Sequence, residues 1–482
     1  MESMAGLDAK FLYSETPTTH MHTIKVVVSN VSDMPGGFVY EGLVDALRQQ
    51  LGRLPPFRRR FVSVPLSLGH PVWVEDPNFD LANHVSYRSL AAPATMRELA
   101  GEIADIAGKP LPRDRPLWEM VIVDGIEGGR MAVVAKVHHA VADGLATVAL
   151  LQNVVEGVDE SLSEPPVDTW EPETIPATVP LLKGAMRAHG VRIRGLPRLV
   201  VDSVKGARES EFRRRKLELK PPLPLQTPRT SLNVSLDGRR TFAMTTLPLG
   251  DLQAIRRVAG TTLNDVYLAV CSGALRRFLT ANGELPSRSL VASVPLSTDP
   301  NVARMSGNRI DSLYVTLGTD IADPLQRLMH CSAVASGAKQ VRSALGNSLL
   351  ERRAEVVPPQ LYKAAVRIWG RSHLANRVRP PINVILSNVA GPRSPVRFGP
   401  SAMEALYSVG PLIEGVGLNV TAWSYVDSLH ISVLGCPASL PDPWRIADAL
   451  DESLAELTES VVNQPAPDKV GHVGVPVEDM PA

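Results

Sequence analysis

The reading turns on Met131 to Leu150, MAVVAKVHHAVADGLATVAL. An apolar run, Met131–Val137, leads into His138 and His139. Ala140, Val141, Ala142, Asp143 and Gly144 follow, and then a run with helical apolar spacing. This pattern predicts a buried strand ending at two imidazoles, a tight turn at Gly144 and a helix start. A rigid strand end can aim a side chain into a cleft, where catalytic groups are commonly held. Imidazole titrates near neutral pH and can take a proton from a hydroxyl. Asp143, four residues after His139, either orients an imidazole or pairs with an arginine and holds the turn. Adjacent histidines on a strand face opposite ways, so this pair is not expected to chelate one metal ion.

Outward from that segment the chain alternates strand-like and helix-like runs. Before residue 160, Thr23–Ser29, Val72–Glu75, Met120–Val123 and Met131–Val137 read as strands. Gly42–Leu51, Met96–Ala107 and Leu145–Val155 read as helices. After residue 230, strands are expected at Thr241–Leu247, Leu290–Val294, Leu313–Leu317, Ile382–Ser387, Gly417–Trp423 and Leu429–Leu434. Long helices are expected at Leu263–Asn282 and Pro324–Ala344, the second capped by Asp323 ahead of a first-turn proline. Proline-rich stretches at Glu164–Pro180 and Lys220–Pro228 exclude regular helix or central strand. The expected division is therefore an N-terminal domain 1–160, a proline-rich and basic crossover 161–229, a C-terminal domain 230–462 and a mobile tail 463–482. The fold class is mixed α/β.

The 482 residues carry 50 basic and 50 acidic side chains, for zero net charge, with 44 % apolar residues. That is an ordinary globular composition, and it argues against a general nucleic-acid binder. No uncharged apolar stretch is long enough to span a bilayer, and the first ten residues lack a secretory h-region. Three widely separated cysteines, Cys271, Cys331 and Cys436, form no CxxC pair, which fits a reducing cytosol. There is no GxxxxGK[ST] loop, no GxGxxG after a strand and no GxSxG elbow. Nucleotide cofactors and a serine-hydrolase mechanism are therefore not indicated. The expectation is no cofactor and no metal.

His138-His139-Ala140-Val141-Ala142-Asp143-Gly144 matches the HHxxxDG motif of the CoA-dependent acyltransferase superfamily, which includes chloramphenicol acetyltransferase and peptide-synthetase condensation domains. Other segments narrow the resemblance to bacterial wax ester synthase/diacylglycerol acyltransferases. These are Gly6-Leu7-Asp8, Glu15 to His22, Arg115 to Glu119, Asn264-Asp265-Val266, Val294 to Ser297, Gly307-Asn308 and Ser387 to Pro392. The resemblance runs from about residue 6 to 460. It implies two chloramphenicol-acetyltransferase-like domains with a substrate tunnel at their interface. It also implies acyl-CoA as a substrate and diacylglycerol or a fatty alcohol as acceptor. His139 is then the base, His138 supports the strand end or the acceptor pocket, and Asp143 is structural with an arginine partner, for which Arg115 is a candidate. Asn264 is placed opposite His139 across the interface, where it donates to the oxyanion or the acceptor; as residues alone, Thr262-Leu263-Asn264-Asp265 also read as a helix cap. Trp118 reads as core packing. The arginine usual in the family shortly after the PxS element is replaced here by Thr298-Asp299. That departure keeps open a weakly active homologue that binds acyl-CoA or lipid.

Between Leu181 and Lys220 stand twelve basic and four acidic side chains, a net +8, interleaved with apolar residues. Such a stretch either lies on an anionic membrane surface or forms a solvated crossover helix packed on the two domains. The expected location is cytoplasmic, with peripheral attachment to the inner membrane or to lipid droplets.

Overall fold

The computed structural model describes residues 2–32, 39–152, 168–223, 226–299, 304–344, 347–398 and 401–462. The tail at 463–482 and parts of both proline-rich stretches lie outside them.

Two six-stranded sheets carry the molecule. In the first, β2 (His22–Asn30) pairs antiparallel with β7 (Arg130–His138), and β7 with β6 (Trp118–Ile126). Parallel β5 (Val85–Ala94) closes one edge. Strand β2 reads His-Thr-Ile-Lys-Val-Val-Val, and both of its faces are covered. Ile24, Val26 and Val28 meet α3 (Met96–Ala107), while Val27 faces the core under α1 (Gly6–Ser14) and α2 (Tyr40–Gln50). A strand buried on both faces needs the near-continuous apolar run that the sequence supplies.

The other edge of this sheet comes from the far end of the chain. Strand β13 (Ser401–Val409) pairs with β2, and β12 (Arg397–Phe398) pairs with β13. The division at 1–160 and 230–462 thus follows chain order, whereas the sheets do not: two strands of the later block complete the earlier sheet.

The second sheet has the order β10 (Ile310–Thr316), β9 (Val291–Ser297), β11 (Val384–Ala390), β14 (Leu418–Tyr425), β15 (Ser428–Gly435), β8 (Thr241–Pro248). Its core packs against α7 (Leu263–Ala281), α8 (Pro324–Ser343) and α11 (Trp444–Val462). Thr262 caps α7 through a reciprocal pair with Asp265, and Asp323 caps α8, each satisfying free first-turn N–H groups. The sheets meet where Tyr407 of β13 packs edge-on against His430 at 5.0 Å and its hydroxyl lies 2.9 Å from Thr246 Oγ1. The basic segment forms one helix, α5 (Thr178–Lys216), of 39 residues.

Candidate active site

Strand β7 ends at His138, and α4 (Gly144–Gln152) begins six residues later. Asp143 caps that helix: its Oδ1 accepts from the Ala146 amide at 2.9 Å. Its Oδ2 accepts from Arg304 at 2.6 Å and from the Arg309 amide at 2.8 Å. The arginine partner is thus Arg304, not Arg115, which pairs with its neighbour Asp114 at 3.1 Å. Arg304 also donates to the carbonyls of Ser306 and Gly307. Its Nε lies 3.3 Å from Asp299, one of the two residues standing at the family's arginine position. Segment 304–309 therefore lies along the histidine loop, with Gly307 N donating to Val141 O at 2.8 Å and Ala142 bridging Gly307.

The two imidazoles point to different places. His138 is buried; its Nδ1 accepts from the Ala140 amide at 3.0 Å, and its Nε2 lies 3.3 Å from Glu15. His139 is only partly covered. Phe11 stacks on its ring at 4.1 Å and 8°. Its Nδ1 lies 2.8 Å from Asn308 Oδ1, and its Nε2 has no protein partner among the described residues. Burial pulls the His139 pKa down to about 4, although the Asp143 charge and the hydrogen bonds of the ring push it up. The ring is therefore neutral at pH 7, which is the form a base requires. Burial also lowers His138, against the pull of Glu15.

Asn264 occupies the second position of α7, half-buried, and makes no hydrogen bond to the other site residues among those described. The cap is made by Thr262 and Asp265. Trp118 is core: it stacks on Phe57 at 4.7 Å and on His84 at 4.5 Å, and its Nε1 donates to Phe57 O at 2.7 Å. Among the described residues no group of three His, Cys, Asp or Glu side chains is placed to hold a metal ion.

Two cavities flank the loop. One is polar and is bordered by Asp8, Val141, Arg304 and Asn308. The other is apolar and runs under α4 and β7, where Val137, Thr147, Leu150 and Trp423 line it. Its one charged lining residue is Lys25, which lies over the Trp423 ring at 4.9 Å and donates to Ser408. Burial brings the Lys25 ammonium down to about 7.

Profiles of the wax ester synthase/diacylglycerol acyltransferase catalytic domain and of the WS/DGAT C-terminal domain match residues 4–267 and 306–458. The chain belongs to this family. It is therefore an acyltransferase, and the family implies acyl-CoA and an acyl acceptor as substrates. A Mycobacterium tuberculosis H37Rv protein described as a candidate diacylglycerol O-acyltransferase is 38 % identical over 458 residues, covering 95 % of this chain and 96 % of that one. A second from the same strain, described likewise, is 36 % identical over 471 residues, covering 96 % of this chain and 92 % of that one. The solved wax ester synthase/diacylglycerol acyltransferase from Marinobacter aquaeolei VT8 superposes with a TM-score of 0.67 at 25 % identity, covering 96 % of this acyltransferase and all of that chain. The first condensation domain of the CDA synthetase shares the fold alone, at 15 % identity and a TM-score of 0.55, with 96 % of each chain covered. The two-domain chloramphenicol-acetyltransferase-like architecture read from HHxxxDG is the one these neighbours have.

Proposed function

We propose that this acyltransferase moves a long-chain fatty acyl group from acyl-CoA to diacylglycerol, giving triacylglycerol, with a long-chain alcohol as the related acceptor giving wax ester. The observation that carries the reading is His139: a neutral imidazole just past a strand end, with Nε2 free of protein partners among the described residues, whose hydrogen-bond partner Asn308 and loop neighbour Val141 border the polar cavity. Diacylglycerol leads because the curated relatives carry that name across nearly their whole length.

In this mechanism His139 Nε2 takes the proton of the acceptor hydroxyl as its oxygen attacks the thioester carbonyl. A C–O bond forms, the tetrahedral intermediate expels the CoA thiolate, and the imidazolium returns its proton to that sulfur. General-base catalysis of this kind contributes about 10²–10⁴-fold. Holding both substrates at one base adds to it. The apolar cavity under α4 takes the acyl chain, and near-neutral Lys25 lowers the cost of an ammonium beside a hydrocarbon. Asn264, with no hydrogen-bond partner among the described residues, supplies a donor to the oxyanion. Asp143 holds the loop and does not touch the reacting atoms. His138 supports the strand end.

The lipid acceptor is reached at a membrane surface through α5. Twelve basic side chains between residues 181 and 220 sit among exposed Met186, Val191, Ile193, Val200 and Val201. Among the described residues no helix is long and apolar enough to cross a membrane, so the contact is peripheral. Charge and exposed apolar area together favour an anionic bilayer. Co-sedimentation with phosphatidylglycerol vesicles, lost when Arg192, Arg194 and Arg198 become Gln, supports this contact; unchanged binding contradicts it.

Labelled palmitoyl-CoA offered with diolein or with hexadecanol tests the acceptor. Labelled triacylglycerol supports the reading. Wax ester alone shifts it to the alcohol. No product from either acceptor replaces it with a lipid-binding homologue.

A further inference from the structure

Two sequence features, Gly6-Leu7-Asp8 and Gly307-Asn308, have no part in the mechanism above. The structure brings them together at His139. Asn308 Nδ2 lies 2.8 Å from Asp8 Oδ1 and 2.7 Å from the backbone carbonyl of His139. Asn308 Oδ1 lies 2.8 Å from His139 Nδ1. The Asn308 backbone amide also donates to Asp8 Oδ1 at 2.7 Å.

We propose that Asn308, held by Asp8, is the positioning residue that fixes the His139 tautomer with its proton on Nδ1 and its lone pair on Nε2. The argument is one of donor and acceptor counting. A carboxamide has two N–H hydrogens and one accepting oxygen. Both hydrogens of Asn308 are taken, one by Asp8 and one by the His139 carbonyl. Turning the amide over would set its oxygen against that carbonyl, which can never donate, and against Asp8 Oδ1, which already accepts a backbone N–H. The orientation is therefore set by its neighbours, and Oδ1 must accept. The ring atom facing it is Nδ1, which must carry hydrogen. Nε2 is left as the base. A histidine that performs acid–base work commonly has its tautomer set by the partner of its other nitrogen.

The scaffold is built to deliver this contact. Asp8 and Phe11 lie three apart on α1, hence on one face of the helix. One reaches Asn308; the other stacks on the imidazole. Helix α1 lies close against α9 (Asn347–Val356), where a Cβ on Gly6 would come within 2.6 Å of the Ala354 carbonyl carbon. Any larger residue there pushes α1, and Asp8 with it, out of place. Gly307 has φ of +76°, in the left-handed region that glycine favours, and its Cβ would meet Asp8 at 3.3 Å. Both glycines thus serve the same contact.

The inference rests on His139 being the base, but its test reads the ring without turnover. ¹⁵N and ¹³C spectra of labelled histidine, with His139 assigned by loss of its signals in His139→Gln, should show the Nδ1–H tautomer in the native protein. Asn308→Ala should convert the ring to Nε2–H or to a mixture and lower kcat by about 10²-fold, with KM for acyl-CoA within about twofold. Asp8→Ala removes the carboxylate that holds the Asn308 amide while leaving that side chain in place, and it serves as the probe if Asn308→Ala does not fold. Asp8→Ala should move the spectrum in the same direction as Asn308→Ala. An Nε2–H ring in the native protein overturns the proposal. So does an unchanged tautomer in Asn308→Ala, whatever happens to its melting temperature. Full activity of His139→Ala would instead break the base assignment and leave the tautomer result standing.

Discussion

His138 and His139 are consecutive, yet the side chains around them do opposite jobs. His138 turns under the first sheet toward Glu15 and faces His22 edge-on at 5.9 Å. There the Nδ1 lone pair is consumed by the Ala140 amide. His139 turns to the cleft, where Asn308 binds Nδ1 and Nε2 stays open. One ring thus has its accepting nitrogen sealed into the backbone, and the other keeps Nε2 without a protein partner among the described residues. In the proposed mechanism the doubled histidine is one structural residue and one reactive residue. The difference lies in which nitrogen the surroundings occupy, since burial lowers the pKa of both.

The largest expected effect follows directly. His139→Ala should lower acyl transfer by about 10²–10⁴-fold with its melting temperature kept, whereas His138→Ala should chiefly destabilise, by about 1–3 kcal/mol, and retain far more turnover. Steady-state rates and urea midpoints on the two variants check this; equal losses of rate would erase the contrast. Asp143→Ala should cost about 1–3 kcal/mol, because it takes the nearer of two carboxylates from the poorly exposed Arg304, which keeps Asp299, and uncaps α4. Rate should fall with it, and an unchanged urea midpoint would refute the structural role.

The third effect is on pH. Burial lowers the folded-state pKa of His20, His22, His138 and His139 below the value near 6.5 that the unfolded chain has. Between those values the unfolded state binds more protons, so stability rises with pH. The contribution is fully present above about 6.5 and is lost as pH falls toward the folded values, near 4 for His139. Urea midpoints at pH 5, 6 and 7.5 should climb in that order, and a flat series would contradict it. Asp8, pushed up to about 7 by burial, opposes the trend below neutrality, while His430, drawn down to about 4 by burial, adds to it. The smallest effect concerns the cavity. Leu150→Trp should shift preference from palmitoyl toward shorter acyl chains by a few-fold, read as the ratio of kcat/KM values.

Much of this was legible in the sequence because it is local. The run Met131–Val137, the imidazole pair and the Asp-Gly turn lie within about fourteen residues, and strand, loop and helix appear as read. The capped helices α7 and α8 were legible for the same reason. What was hidden is non-local. Asn308 reaches His139 across 169 positions and Arg304 reaches Asp143 across 161, and no periodicity reports such a pairing. Arg115 was the nearer arginine in sequence, but β6 leads it away to Asp114. Strand β13 was not read as a strand at all, because Ser401–Val409 carries Met, Glu, Ala and Leu with a single β-branched residue, and no local pattern reports that it joins β2. The signals that did exist were Gly6-Leu7-Asp8 and Gly307-Asn308, visible as motif residues without a role until the fold set them side by side.

The most direct test of the account is a radiolabelled palmitoyl-CoA assay with diolein, comparing the native protein with His139→Ala at matched folding. The account predicts labelled triacylglycerol and free CoA from the native protein, and a rate at least about 10²-fold lower from the variant. Triacylglycerol formed at the native rate by His139→Ala would contradict it.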